Sequence, residues 1–228
     1  MPLPPALSAG FVGLSLLMAA VFVGGVVFAP GRPRSAGSAL GALGVAALYL
    51  GVSFTLARLG VLADVDVRPP PVGLMLAAMS LGTVALAASS LGDRLLAWPL
   101  GVLVGVQAFR IAVELLLAAT YRAGALPVEM TYHGLNVDVV TGVLALGLGI
   151  WLGRAAPPRG TVLAWNALGM ALLACVVAMA ALSAFGVWAT EPRVTLPTAW
   201  PGVWLPAWLV QLALLGHVLV FRKLARQT

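Results

Sequence analysis

Seven stretches of this sequence stay apolar for about 20 residues, the length of helix that crosses a hydrocarbon core of about 30 Å. In lipid a chain must satisfy its backbone hydrogen bonds within itself, so stretches of this kind become helices. The first runs from about Leu7 to Ala29, the second from Ala36 to Leu59, the third from Val72 to Leu91 and the fourth from Leu96 to Tyr121. The fifth, Leu135 to Leu152, is the shortest; the sixth covers Thr161 to Phe185 and the seventh Val203 to Phe221. The fold expected is all-α and polytopic, a single bundle of seven transmembrane helices over residues 1–228. The connections between the runs are too short to carry a soluble domain. Composition agrees: 61% of residues are hydrophobic and 9% charged, where soluble domains have about 25% charged. That excludes a water-soluble fold, a disordered chain and a disulfide scaffold.

Charge placement orients the bundle. The loops after spans 1, 3 and 5 and the C-terminal tail hold Arg32, Arg34, Arg94, Arg154, Arg159, Arg222, Lys223 and Arg226. The alternate loops hold Arg58, Arg68, Arg122 and Arg193, mixed with Asp64, Asp66, Glu129 and Glu191. Eight basic residues against four place the N-terminus outside and the C-terminus in the cytoplasm. The stretch Met1–Gly10 has no Lys or Arg, so the first span reads as a retained helix and not as a signal peptide. The net charge of +6 comes with no basic run or aromatic-interleaved patch, so no nucleic-acid partner is expected. Cys175, the single cysteine, lies in an apolar run and reads as helix packing.

The ionisable and amide residues inside these runs demand an explanation, because such groups are costly in lipid. Span 4 carries Gln107, Arg110 and Glu114, at offsets that share one helical face. At about 1.5 Å per residue from Trp98, Arg110 lies roughly 18 Å into the membrane. Arg110 and Glu114 are spaced i,i+4 and can neutralise each other. Asn136 and Asp138 at the start of span 5 and Gln211 in span 7 fall at overlapping depth. The expectation is one outward-facing polar pocket formed by Gln107, Arg110, Glu114, Asn136, Asp138 and Gln211, with Tyr132 and His133 as outer-loop candidates. The competing reading is a hydrogen-bonded network that joins helices.

Other polar residues read more plainly. Counted along the spans, His133 and His217 lie about 20 Å apart and so cannot share a haem or a metal. His217, near Arg222 and Lys223, reads as an inner-end packing or interfacial residue, and Asn166 as a cap or interface hydrogen bond. His133 with Glu129 and Asp138 matches no metal motif, so no metal is assigned. Trp188, Trp200 and Trp204, among several prolines, read as an interfacial belt, with a flat-lying lid as the alternative. Gly101 and Gly105, one turn apart, permit close helix contact.

Several classes lack their chemistry. The only lysine is Lys223, so no retinal Schiff base is expected. No phosphate-binding loop, nucleophile elbow, zincin or Cys-x-x-Cys motif occurs. No catalytic residue and no cofactor is assigned.

From mid-span 4 onward the sequence resembles a family of uncharacterised bacterial multi-pass membrane proteins. The residues that carry the resemblance are Phe109-Arg110 with Val113-Glu114-Leu115, Leu126-Pro127 with Met130-Thr131, and Gly134-Leu135-Asn136-Val137-Asp138 with Thr141-Gly142. Trp165-Asn166, Leu182-Ser183, Val203-Trp204-Leu205-Pro206, His217 and Arg222-Lys223-Leu224 complete it. That family carries no assigned activity; the resemblance implies a recurring design and residence in the bacterial cytoplasmic (inner) membrane.

The function expected is binding or transport of a small polar or anionic solute, with Arg110 pairing the anion and Glu114 or Asp138 carrying a proton. The alternatives are a non-catalytic membrane subunit or assembly factor, alone or as a homo-oligomer, whose polar cluster is structural, and a membrane enzyme acting on a lipid-like substrate.

Overall fold

The structure, a computed structural model, describes residues 3–65 and 67–226; Asp66 of the second connection lies outside them. Its helices are α1 (Pro5–Val27), α2 (Ala36–Arg58), α3 (Pro71–Ala88), the short α4 (Ser90–Leu95), α5 (Leu100–Arg122), α6 (Val139–Leu152), α7 (Arg159–Ala184) and α8 (Leu205–Ala225). Among the described residues there is no strand. Six helices, α1, α2, α3, α5, α7 and α8, are long and apolar enough to cross a membrane. The seventh expected span is shorter than the apolar run suggested: α6 has 14 residues, about 21 Å of helix.

Local chemistry sets these boundaries. The Ser35 side chain accepts from the Ser38 amide and caps α2, while Pro5 and Pro71 open α1 and α3, where a missing N–H costs nothing. Ser89 ends α3 and caps α4 in turn, so the third apolar run stops as a helix at Ala88. Pro99 delays the next helix to Leu100. Within α5 the backbone tightens into a 3-10 turn at Val106–Ala108, and α8 opens with a π turn at Leu205–Leu209 that includes Pro206.

The last helix is the centre of the bundle. Over half of its apolar window, 56%, is buried, against 22% for α2 and for α7. It packs on α3, α7 and the first turns of α5, and its π turn meets α1 and α2. There Trp208 is buried edge-on against Phe22 and Tyr49 and donates from Nε1 to the Ser15 carbonyl at 3.1 Å. Trp204 is also buried and donates to the Leu50 carbonyl at 3.0 Å, with Trp200 between it and Phe54. Trp200 and Trp204 thus pin the loop before α8 onto α2; Trp204 is not a free member of a membrane belt. Cys175 is likewise not a packing residue: it is exposed on the outer side of α7.

Small residues set the tightest contact. A Cβ on Gly149 of α6 would lie 2.8 Å from the Gly105 Cα and 3.0 Å from the Gly101 carbonyl oxygen. Backbone cannot yield as a flexible side chain does, so Gly149→Ala forces α5 and α6 apart. The substitution is expected to cost about 1–3 kcal/mol of stability, read as a lower melting temperature in detergent; an unchanged melt would refute this close approach.

At the C-terminal end of α8, Arg222 and Arg226 both donate to Asp93 of α4, at 3.1 and 2.8 Å. The hydrogen bond from Arg226, with help from Arg222, holds the Asp93 carboxyl below its ordinary value of 3.8. A carboxyl lowered in this way stabilises the fold above its ordinary value and loses that contribution as the pH falls through the lowered one. Asp93→Asn is therefore expected to melt below wild type at pH 7, with the gap closing as pH drops under 3.8. A gap that persists in acid would show that charge is not what Asp93 contributes.

Candidate functional site

The C-terminal half of α5, Phe109–Arg122, turns Arg110 and Glu114 inward, and both are buried. The chain then leaves α5 and returns through a largely irregular segment, with a 3-10 turn at Val128–Met130, before α6 starts at Val139. Protein covers this irregular backbone: Met130, Thr131, Asn136 and Asp138 are all buried. Asn136 organises the return. Its side-chain oxygen accepts from the Asp138 amide at 3.1 Å, and its Nδ2 donates to the Met130 carbonyl at 3.1 Å and to Glu114 Oε1 at 2.8 Å. These local bonds compete with helix and account for the short α6.

Arg110 does not pair with Glu114 one turn on. Its guanidinium grips Asp138 in a two-pronged ion pair, with Nε donating to Oδ2 at 2.8 Å and Nη2 to Oδ1. Nη2 also reaches the Gly169 carbonyl of α7 at 3.4 Å, and Nη1 donates to His217 Nε2 of α8 at 2.6 Å. An arginine cannot accept, so Nε2 is the bare nitrogen of a neutral imidazole and the ring proton sits on Nδ1. Nδ1 then donates to Asn166 Oδ1 at 2.8 Å, while Asn166 Nδ2 donates to the His217 carbonyl at 3.0 Å. Trp165 lies beside the imidazole, ring centroids 5.4 Å apart, and donates to the Thr141 carbonyl.

His217 and Asn166 are therefore centre pieces of the network and not end caps or interfacial residues. Both are fully buried. Room for them comes from Gly169, where a Cβ would meet the His217 ring at 2.4 Å, and Gly142 lets α6 approach Arg110. The signal that could have found them is the one that found Arg110, a polar side chain inside an apolar run.

The two glutamines lie apart from this network. Gln107 donates to the Ala213 carbonyl of α8 at 3.0 Å. Gln211 accepts from Thr83 at 3.0 Å and donates to Ser80 and to the Pro206 carbonyl, on the α3 side. The outer-loop pair does not join either: the Tyr132 and His133 rings lie against each other, tilted by 42°, with centroids 4.4 Å apart, and His133 is exposed. Among the described residues no three His, Cys, Asp or Glu side chains gather as metal ligands.

A cavity of about 360 Å³ opens between α3, α5, α7 and the start of α8, roofed by Leu196, Pro197 and Thr198. Its wall is apolar, with residues such as Val72, Leu117, Leu173 and Phe185, and its ionisable members are Glu114 and Asp138. Asp138 is occupied by Arg110. Glu114 is not: Oε1 takes the Asn136 bond, and Oε2 is buried without a hydrogen-bond partner among the described residues.

The ion pair makes a direct prediction. Arg110→Leu leaves Asp138 buried and unanswered and is expected to cost about 3–5 kcal/mol in a denaturant titration. The double variant Arg110→Leu/Asp138→Leu is expected to recover most of that loss. A double variant as unstable as the single one would show that the pair is not the source of the effect.

No protein-family model, curated protein or solved structure matches the chain, so the chemistry of the site is read from its geometry.

Proposed function

We propose that this is a multi-pass protein of the bacterial cytoplasmic membrane that binds an amphipathic, lipid-like molecule with a cationic head group in the cavity beside Glu114. The carrying observation is the second carboxylate oxygen of Glu114, buried in an apolar wall with no partner. Arg110 and Asp138 neutralise each other and His217 is neutral, which leaves Glu114 as the uncompensated acid of the cluster. A buried carboxylate is satisfied by a proton or by a donor that brings positive charge, and a protonated amine supplies both charge and N–H. The volume lies in the range of ligand sites, and the apolar walls suit a hydrocarbon tail.

This reading departs from the anionic solute expected of Arg110. Asp138, Gly169 and His217 take four of the guanidinium's five N–H donors and Asp138 supplies its counter-charge, so an anion would have to displace Asp138 to pair with it. Binding is favoured over catalysis for a related reason: Asp138 is held by Arg110, and Glu114 lacks a free titratable partner for acid–base work. A structural role suits the Arg110–Asp138–His217–Asn166 chain itself, whose members bond one another across four helices. In the membrane the seven apolar helices are proposed to run with the N-terminus outside and the C-terminus in the cytoplasm, following the basic loops.

The test uses the full chain in phosphatidylcholine nanodiscs, with hexadecylamine and palmitate as probes of equal tail length. Hexadecylamine is expected to raise the melting temperature more than palmitate does. Glu114→Gln keeps an acceptor for Asn136 but removes the charge, and should weaken amine binding roughly tenfold to a hundredfold. Equal shifts from amine and palmitate, or full amine binding by a folded Glu114→Gln protein, would overturn the assignment.

A further inference from the structure

A second cavity, of about 340 Å³, lies between α1, the first half of α5 and the second half of α8. Phe22, Val102, Phe109, Leu212 and Leu219 contribute to its wall, and none of the described residues lining it is ionisable. Its polar side chains are those of Trp98 and Gln107. The Trp98 indole N–H is already given to the Gly25 carbonyl at 2.8 Å. Gln107 is different: 1% exposed, it has a side-chain oxygen with no partner among the described residues.

The amide cannot simply be turned to cure this. Nε2 donates to the Ala213 carbonyl, which can only accept, so the nitrogen must lie on that side and the oxygen on the other. Gly216 makes room for the arrangement, since a Cβ there would lie 1.9 Å from Nε2. Buried polar atoms in folded proteins nearly always find a partner. A lone water is a poor candidate, because it needs two to four polar neighbours and this wall offers one unpartnered acceptor.

We propose that this cavity binds a neutral aliphatic lipid with a free hydroxyl, whose O–H donates to Gln107 Oε1. A charged head group is excluded by a wall that offers no counter-charge, and a bare hydrocarbon would leave the acceptor unanswered. The site is separate from the Glu114 cavity in both residues and ligand class. Long-chain alcohols and diacylglycerols share the required chemistry.

The experiment is photo-crosslinking of the full chain in phosphatidylcholine nanodiscs with a diazirine-bearing hexadecanol, followed by peptide mapping. Labels are expected on the lining of α1, α5 and α8. Unlabelled hexadecanol should compete about threefold to tenfold better than hexadecyl methyl ether, which has the same tail and no O–H. A diacylglycerol competing more strongly than hexadecanol would assign the natural source to glycerolipids, and the reverse would assign it to simple alcohols. Gln107→Leu, or Gln107→Met if the first does not fold, should lower labelling by a similar factor while the protein still melts cooperatively. Equal competition by the ether, labels confined elsewhere, or full labelling of a folded Gln107 variant would overturn the proposal. If neither variant folds, the comparison of alcohol with ether on wild type decides it.

Discussion

An arginine in the interior of a membrane cannot shed its charge and cannot be left in hydrocarbon, so the protein must bring acceptors to it from several directions. Arg110 draws them from three other parts of the chain: Asp138 at the entry to α6, the Gly169 carbonyl of α7 and His217 of α8. Much of the surrounding structure follows from that demand. The return into α6 gives up helix so that Asn136 can present Asp138. Gly142 and Gly169 must be small, because a side chain at either would meet the α5 backbone or the imidazole. The register of four helices is fixed by what one guanidinium requires.

That demand was partly legible in the sequence. Length and hydropathy alone located Arg110, Glu114 and Asp138 as charged groups within apolar runs, and the close approach at Gly101 and Gly105 followed from spacing. Depth along a span could be counted, but the direction a residue faces around the helix could not. The 3-10 turn at Val106–Ala108 and the π turn at Leu205–Leu209 each shift the angular phase of the residues beyond them. This is why Gln107 and Gln211 face Ala213 and Thr83 and not Arg110. His217 escaped for the converse reason, since counting from the helix ends hid how far α8 is enclosed by its neighbours, and Asn166 escaped with it because its partner is the His217 ring.

Helix-breaking chemistry set the other limit. Pro99, Ser89 and the Asn136 turn interrupt apolar runs that hydropathy reads as continuous, so a run of apolar residues and a helix need not share ends. The shortness of α6 follows from this. A full-length helix there would carry Asn136 in regular backbone and deny Glu114 its partner.

The polar atoms of the bundle divide by whether they are answered. Arg110, Asp138, His217 and Asn166 bond to one another across four helices, which is what a brace needs, and a brace gains nothing from a ligand. Glu114 Oε2 and Gln107 Oε1 each stand in an apolar wall with no partner among the described residues. They sit on one helix, two turns or about 10 Å apart, with Arg110 between them. Because α5 and α8 run antiparallel, the Glu114 cavity takes the end of α5 and the start of α8, while the Gln107 cavity takes the opposite halves. The brace therefore lies between two cavities of different lining: one includes the carboxylates of Glu114 and Asp138, the other includes no ionisable residue among those described. On the two assignments proposed above, lipids of the same tail chemistry would be sorted by head group on the two sides of a single ion pair.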